Sequence, residues 1–395
     1  MQYREFGKDK RKDNVNGKDK DKVKVSVLGF GCMRLPTDNG KMDGVVDEKE
    51  SARMIRHAID AGINYVDTAK VYLSGQSEAI LGRILQDGYR EKVMIATKLP
   101  VWDVKSRKDA DRIFDEQRHD LKTEKIDVYL LHNLKRSYWK TCLDCQLIDW
   151  ALEKKEKGEI DYVGFSFHDD YDFFVEVVNS SEHWDFCQLQ YNYTGETVQA
   201  GARGLRYAFE KGLSIIIMEP LLGGVLAKPA GKMGELFQSE KGKNFQPVDL
   251  AFRWLWDQPE PTVVLSGMSS FEQVTQNLQI ANQGFAGTLQ PEEKAFILEL
   301  QKAYNQSMPI KCTKCRYCMP CPSGVDIPLN FEIYNNHTVT LETDKNSMLG
   351  KIFYATMLES QQAVNCVRCG SCEESCPQKL PIQEYLAEID RTLKS

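Results

Sequence analysis

DEKESARMIRHAIDAGINYVDTA, residues 47–69, is the stretch on which the fold turns. Its first part sets apolar positions at helical spacing and reaches a glycine, Gly62, where a C-cap belongs. The continuation INYVDTA is a short β-branched and aromatic run, the composition of a strand. A helix that hands straight over to a strand is half of a βα repeat. The same alternation extends in both directions, from about residue 23 to residue 282. Eight runs mark it: VSVLGFG (25–31), INYVDTA (63–69), VMIATK (93–98), IDVYLLH (126–132), YVGFSF (162–167), FCQLQYN (186–192), SIIIMEP (214–220) and TVVLSG (262–267). Eight strand–helix pairs in that length predict an α/β fold of the closed (β/α)8 class, the TIM barrel, which typically takes about 250 residues. An open doubly wound sheet is the competing arrangement, and GFGCMR offers a GxG without the full GxGxxG turn that such a sheet uses to bind dinucleotides.

Outside this rhythm lie three segments. KDKRKDNVNGKDKDK (8–22) reads as the polar tip of a hairpin between REF and VKVSV. Its aspartates offset its lysines, which argues against a nucleic-acid arm. GGVLAKPAGKMGELFQSEKGKNFQP (223–247) follows the seventh run as a long loop able to fold over a ligand. The third is the tail, and the chain is expected to divide into a barrel over 1–305 and a small, mainly helical unit over 306–395. With 42% hydrophobic and 27% charged residues and a net charge of −6, nothing favours nucleic acid or an anionic membrane as partner. No apolar run approaches the roughly 20 residues of a membrane helix, and the start MQYREFGKDKRKD lacks a signal-like apolar segment, so a cytoplasmic protein is expected.

Reactive groups of a parallel barrel gather where its strands end. Asp67 lies in YVDTA, Tyr72 five residues on, Lys98 closes VMIATK and His132 closes YLLH. The combination suits proton transfer: a lysine ammonium near a tyrosine favours the phenolate and is expected to lower its pKa from about 10. Asp67 would hold Lys98, and His132 would orient a substrate carbonyl.

In motif order and spacing, DTA-xx-Y, then ATK, then LLH, the chain resembles the aldo-keto reductase family over roughly residues 1–305. The resemblance implies a (β/α)8 barrel that reduces a small-molecule carbonyl with NADH or NADPH, with Asp67, Tyr72, Lys98 and His132 as the catalytic tetrad and Tyr72 as proton donor. It further implies cofactor contacts at Gly31, Met33, Ser166, Gln188, Met218, Leu221, Gly223, Ser266, Gly267, Met268, Ser269, Gln273, Gln276 and Asn277. Several positions depart from the family. Phe167 stands where an asparagine is usual, and Met218 replaces a stacking aromatic. Gly267 and Gln273 replace the Lys and Arg that read a 2′-phosphate, which favours NADH. The bland reading of Ser266, Ser269, Gln276 and Asn277 is a helix-start cluster.

Eight of the twelve cysteines follow residue 311. CVRCGSCEESCP (366–377) has the C-x2-C-x2-C-x3-C-P spacing of bacterial 4Fe–4S ligation, in which the fourth cysteine serves the other cluster. CTKCRYCMPCP (312–322) is one residue shorter before its last cysteine. Crossed ligation assigns Cys312, Cys315, Cys318 and Cys376 to one cluster, and Cys366, Cys369, Cys372 and Cys321 to the other. Zinc is the alternative, although its sites more often pair two CxxC units. The segment 309–395 resembles helical two-cluster ferredoxin domains, with DIPLNFEIYNNH and MLGKIFYATMLES read as helices. Cys32 and Cys187 read as packing thiols in strands, and Cys142 with Cys145 as a structural pair ahead of a helix.

A nicotinamide moves two electrons together and a cluster moves one, a mismatch that a flavin normally bridges. Two functions therefore stand: an NAD(P)H-linked carbonyl oxidoreductase coupled to or stabilised by its clusters, and an electron-transfer module with FMN or another ligand in the barrel that serves a ferredoxin or another redox partner. Trp102, Tyr138 and Trp139 are candidates to line an aromatic substrate pocket.

Overall fold

The structure is a computed structural model that describes residues 1–7, 23–40, 44–229, 231–310, 312, 318–376 and 380–394. The stretch 8–22, read above as a hairpin tip, and Cys315 lie outside the described residues. Among the described residues there are ten strands: β1 (Tyr3–Phe6), β2 (Val23–Ser26), β3 (Leu28–Gly31), β4 (Tyr65–Asp67), β5 (Met94–Pro100), β6 (Ile126–Leu134), β7 (Ile160–Phe167), β8 (Phe186–Gln190), β9 (Ser214–Met218) and β10 (Pro261–Gly267). Strands β3 to β10 close into a parallel barrel in sequence order, β10 pairing with β3. The run VSVLGFG is split: Val25 and Ser26 belong to β2, which pairs antiparallel with β1, and the barrel strand starts only at Leu28.

Alternation along each strand sorts the side chains. One set faces the helical layer, in which Phe165, Phe167, Phe173, Phe174 and Trp184 share a buried core. The other set fills the barrel: Tyr65, Met94, Ala96, Val128, Leu130, Phe186, Ile216, Val263 and Leu265. Phe6 of β1 joins this inner cluster, its ring 5.1 Å from Tyr162 and 5.6 Å from Phe186. The hairpin thus closes one end of the barrel with an aromatic plug. Gly29 has no alternative inside: a Cβ there would sit 2.7 Å from Leu265 Cδ2 and 2.8 Å from Val263 Cγ1.

The chain forms two compact units, 1–222 with 248–290, and 223–247 with 291–395. The expected 305/306 boundary therefore lies at 290/291, and the long segment after β9 goes with the tail. Aromatic packing explains the grouping: Phe296 of helix Pro291–Ser307 meets Phe237 at 5.3 Å and Phe245 at 4.9 Å. The segment 223–247 contains helix Gly231–Gln238.

Within the second unit the central element is helix Ile327–Thr343, capped by Asp326, whose carboxylate accepts from Leu329 N–H. Its Asn335 side chain donates to Ile310 O at 2.7 Å and accepts from Ile310 N–H at 2.9 Å. Asn330 donates to Gln361 O at 2.8 Å. One helix therefore pins the chain just before both cysteine groups. Helices Leu349–Ala355 and Ile382–Leu393 complete the unit, with Tyr354 O–H donating to Asp390. Among the described residues no helix is long and apolar enough to cross a membrane.

Candidate active site and cysteine clusters

The inward phase of the strands carries polar residues to the barrel mouth. Asp67 is two residues after Tyr65, Lys98 two after Ala96, His132 two after Leu130, and Gln188 two after Phe186. Lys98 is 1% exposed and donates to Asp67 Oδ1 and to Thr68 O, both at 2.7 Å. Its Nζ lies 4.7 Å from the Tyr72 ring centre, and the Tyr72 and His132 rings meet edge-on at 6.2 Å. All four residues of the expected tetrad are therefore brought together.

Behind Lys98 a buried network fixes β5. Gln117 donates to Lys98 O at 3.0 Å and to Glu78 Oε1 at 2.7 Å, and Tyr129 O–H donates to Gln117 Oε1 at 2.6 Å. Burial works against the Lys98 ammonium, but Asp67 and Tyr72 together outweigh it and hold its pKa above the ordinary lysine value. The expected depression of Tyr72 is not found. Burial raises its pKa by more than Lys98 lowers it, so the group stays a phenol. His132 is pushed well below the usual histidine range, first by burial and then by Lys98 and His168, so its imidazole is neutral. Among the described residues Asp67 Oδ2, His132 Nδ1 and Gln188 Oε1 are buried polar atoms without a hydrogen-bond partner, as expected of a mouth shaped for a polar ligand.

Ser166 and Gln188 are register partners on β7 and β8. Ser166 Oγ accepts from Asn133 N–H at 2.7 Å, which leaves its own proton to donate, and Gln188 Oε1 remains to accept. One donor beside one acceptor complements a carboxamide, so these residues fit a nicotinamide. Phe167 has the opposite phase and packs 5.1 Å from Phe174 in the helical layer, which explains why no polar group is found there. Met218 ends β9 half-buried, opposite Gln190.

A model of the aldo/keto reductase family matches residues 27–287. The chain belongs to the aldo/keto reductase family. A 4Fe-4S dicluster domain matches residues 311–380. The aldo-keto reductase YhdN of Bacillus subtilis is 27% identical over 290 residues, 62% of this chain and 82% of that one. Among solved structures, the holo form of an aldo-keto reductase from Bacillus halodurans superposes with a TM-score of 0.61 at 24% identity, covering 77% of this chain and 97% of its own. An aldo-keto reductase from Klebsiella pneumoniae, solved in complex with NADPH, gives 0.58 at 20% identity, covering 71% and 93%.

In this aldo/keto reductase the stretch after β10 is internally bonded. Asn277 donates to Ser266 Oγ at 2.9 Å, Ser269 N–H donates to Gln273 Oε1 at 2.9 Å, and Ser270 caps helix Phe271–Ala281. Met268 is buried, whereas Gln273 and Gln276 are exposed. Gly31 pairs with Gly267 across β3 and β10, and Met33 lies in the turn Cys32–Arg34. Leu221 is half-buried against the barrel's outer core, and Gly223, in the second unit, holds a left-handed φ of 65°. Arg34 was passed over in the sequence. A Cβ at Gly267 would come 3.3 Å from Arg34 Cδ, so the small residue makes room for the arginine stem. Cys32 is a buried thiol whose pKa burial raises, in the field of Asp67 and Lys98. Cys142 lies inside helix Arg136–Asp144 and Cys145 caps it, and the pair stands ahead of helix Leu147–Glu156. Trp102 faces His132 at 5.1 Å and Tyr138 at 5.7 Å, as a pocket wall would. Trp139 instead packs on Phe173 and donates to Glu176.

In the dicluster domain Cys376 belongs to a small apolar core, and Cys312, Cys318, Cys321, Cys366 and Cys372 pack against it. Cys369 is exposed. Its thiol pKa is lowered by the Ser371 N–H and hydroxyl, an environment that favours a thiolate ligand. Among the described residues no three Cys, His, Asp or Glu side chains close tightly enough to hold a single metal ion. A cluster of four irons takes one thiolate per iron and so spreads its ligands more widely. Soft donors converging on an apolar core fit that group.

Proposed function

We propose that the chain reduces a small carbonyl compound with a nicotinamide dinucleotide bound at the barrel mouth, and that the dicluster domain is either coupled to this reaction or stabilises the chain. The observation that carries the reading is the contact of Lys98 with both Asp67 and Tyr72, beside a neutral His132. When bound, reduced nicotinamide supplies the hydride that reaches the carbonyl carbon. Tyr72, protonated because burial holds its pKa high, gives its proton to the carbonyl oxygen. Lys98 stabilises the phenolate left behind, and Asp67 keeps the ammonium in position. His132 orients the carbonyl without bringing a competing charge. Ser166 and Gln188 would hold the carboxamide, with Gly31, Met33, Met218 and Leu221 as further contacts. Ser266 to Ser269, Gln273, Gln276 and Asn277 are assigned to the adenosine end.

The test is Tyr72→Phe, expected to lower carbonyl reduction by about a hundredfold or more with nucleotide affinity unchanged. Full activity in that variant would overturn the reading. NADH is the preferred nucleotide on the strength of Gly267 and Gln273. A higher kcat/KM with NADPH would reverse that preference and assign the 2′-phosphate to Arg34.

The dicluster domain favours a second reading, in which FMN in the barrel passes electrons through the clusters to a ferredoxin-like partner. Cys312, Cys315, Cys318 and Cys376 would hold one cluster, and Cys366, Cys369, Cys372 and Cys321 the other. Anaerobic titration of the iron-reconstituted chain with NADH separates the two. Bleaching of the cluster absorption joins barrel and clusters in one circuit. An unchanged band, with nucleotide consumed only when a carbonyl is present, leaves a self-contained reductase.

A further inference from the structure

Next to the tetrad lies a second set of polar groups that the reaction does not use. A chain of ring contacts leads to it: Tyr72 to His132 at 6.2 Å, His132 to Trp102 at 5.1 Å, Trp102 to Tyr138 at 5.7 Å, and finally Lys135 Nζ at 4.7 Å from the Tyr138 ring centre. Lys135 is half-buried, and among the described residues no carboxylate lies within ion-pair distance of it. The carboxylate of Asp169 accepts from the backbone N–H groups of Arg136 and Asp170 and acts on Lys135 through its field, without an ion-pair contact.

His168 is brought beside Lys135 by strand pairing: its backbone N–H donates to the carbonyl of Leu134, the residue before Lys135, at 3.1 Å. Gln199 Nε2 lies 3.4 Å from His168 Nδ1 and donates to Gln190 Oε1 at 3.0 Å. An amide nitrogen only donates, so His168 Nδ1 accepts, and in the neutral ring the proton is on Nε2 as a donor. Gln199 has a left-handed φ of 55°, and among the described residues its buried Oε1 has no partner. Backbone strain that serves a polar network of this kind is typical of a ligand site.

We propose that Lys135 and His168 form an anion subsite, so that the substrate of this reductase is an aldehyde or ketone that also carries a carboxylate. An ammonium and an imidazole N–H are donors that the two oxygens of a carboxylate accept from. Trp102 and Tyr138 form the apolar wall between the two ends of the substrate. The proposal rests on the carbonyl-reductase reading and adds the substrate class.

The experiment compares para-formylbenzoate with its uncharged methyl ester on the full, cluster-reconstituted chain. Turnover is followed with reduced nucleotide, and binding by calorimetry with oxidised nucleotide present. The wild type is expected to favour the carboxylate by about tenfold or more in kcat/KM, a ratio that Lys135→Met brings close to one and Lys135→Arg retains. Equal turnover of acid and ester, or a preference that survives Lys135→Met, overturns the subsite and leaves the reductase standing. If neither aldehyde is turned over, tighter binding of the acid that Lys135→Met abolishes supports the subsite while the reductase reading falls. Equal binding of acid and ester in that case overturns the subsite as well.

Discussion

At the scale of single residues the site depends on charges that have lost their water. Lys98 and Asp67 are 1% and 3% exposed and neutralise each other at 2.7 Å. Lys98→Met would strand the Asp67 carboxylate, and removing one member of a buried pair typically costs about 3–5 kcal/mol. A urea titration is expected to show that loss, whereas Tyr72→Phe, which strands no charge, should leave the midpoint close to wild type. The buried histidines set a pH window. The folded pKa of His168 is brought down to about 4 by burial first and Lys135 second, from an ordinary 6.5. The unfolded chain therefore binds a proton that the folded chain refuses. Stability is full above pH 6.5, falls as pH drops toward 4, and by then has lost roughly 3 kcal/mol from this group. Stability curves of His168→Gln against pH should lose that part of the slope, and an unchanged slope would remove His168 as its source.

The grouping of the four residues was legible because Asp67, Lys98 and His132 lie toward the ends of strands whose runs the sequence displays and Tyr72 follows β4. The lowered Tyr72 pKa was not, because proximity to Lys98 can be inferred from strand order whereas the burial that outweighs it depends on side chains from several strands. Phe167 was legible only in part. The strand's period of two already put it on the opposite face from Ser166, and the resemblance alone had suggested otherwise. Lys135, His168 and Gln199 gave no signal, since they sit on three connections that only the closed barrel brings together.

Among elements, the parallel strands were easy to find, because strands buried on both faces read as continuous β-branched runs. VSVLGFG hid a break, since Val27 separates a hairpin strand from a barrel strand without any turn residue to mark it. Helix Ile327–Thr343 was expected from its composition, but its asparagines say more than its period does. Asn335 bonds both backbone groups of buried Ile310, and since Ile310 O keeps the Cys312 N–H at 2.9 Å, Asn335→Leu should leave one buried N–H without a partner, at about 2 kcal/mol. Unfolding of the reconstituted protein, followed by cluster absorbance in urea, is expected to begin correspondingly earlier. The boundary between the units could not be read from sequence, because helix Pro291–Ser307 continues the helical rhythm of the barrel segment. Phe237, Phe245 and Phe296 decide the matter by packing.

For the whole molecule, family membership gives the chemistry of the barrel only in outline, and a 4Fe-4S dicluster domain follows the barrel segment in the same chain. The asparagines of helix Ile327–Thr343 have a consequence for how such a chain matures. Asn335 holds the approach to Cys312, and Asn330 holds Gln361 ahead of Cys366, so the same rod must be in place before either loop can present its thiols. Metallation is then expected to be all-or-none. With iron and sulfide limiting, native mass spectrometry should find empty and doubly filled chains and few that carry a single cluster. An abundance of half-filled chains would mean that each loop matures on its own. If filling is concerted, iron scarcity would lower the number of finished molecules and leave the quality of each unchanged.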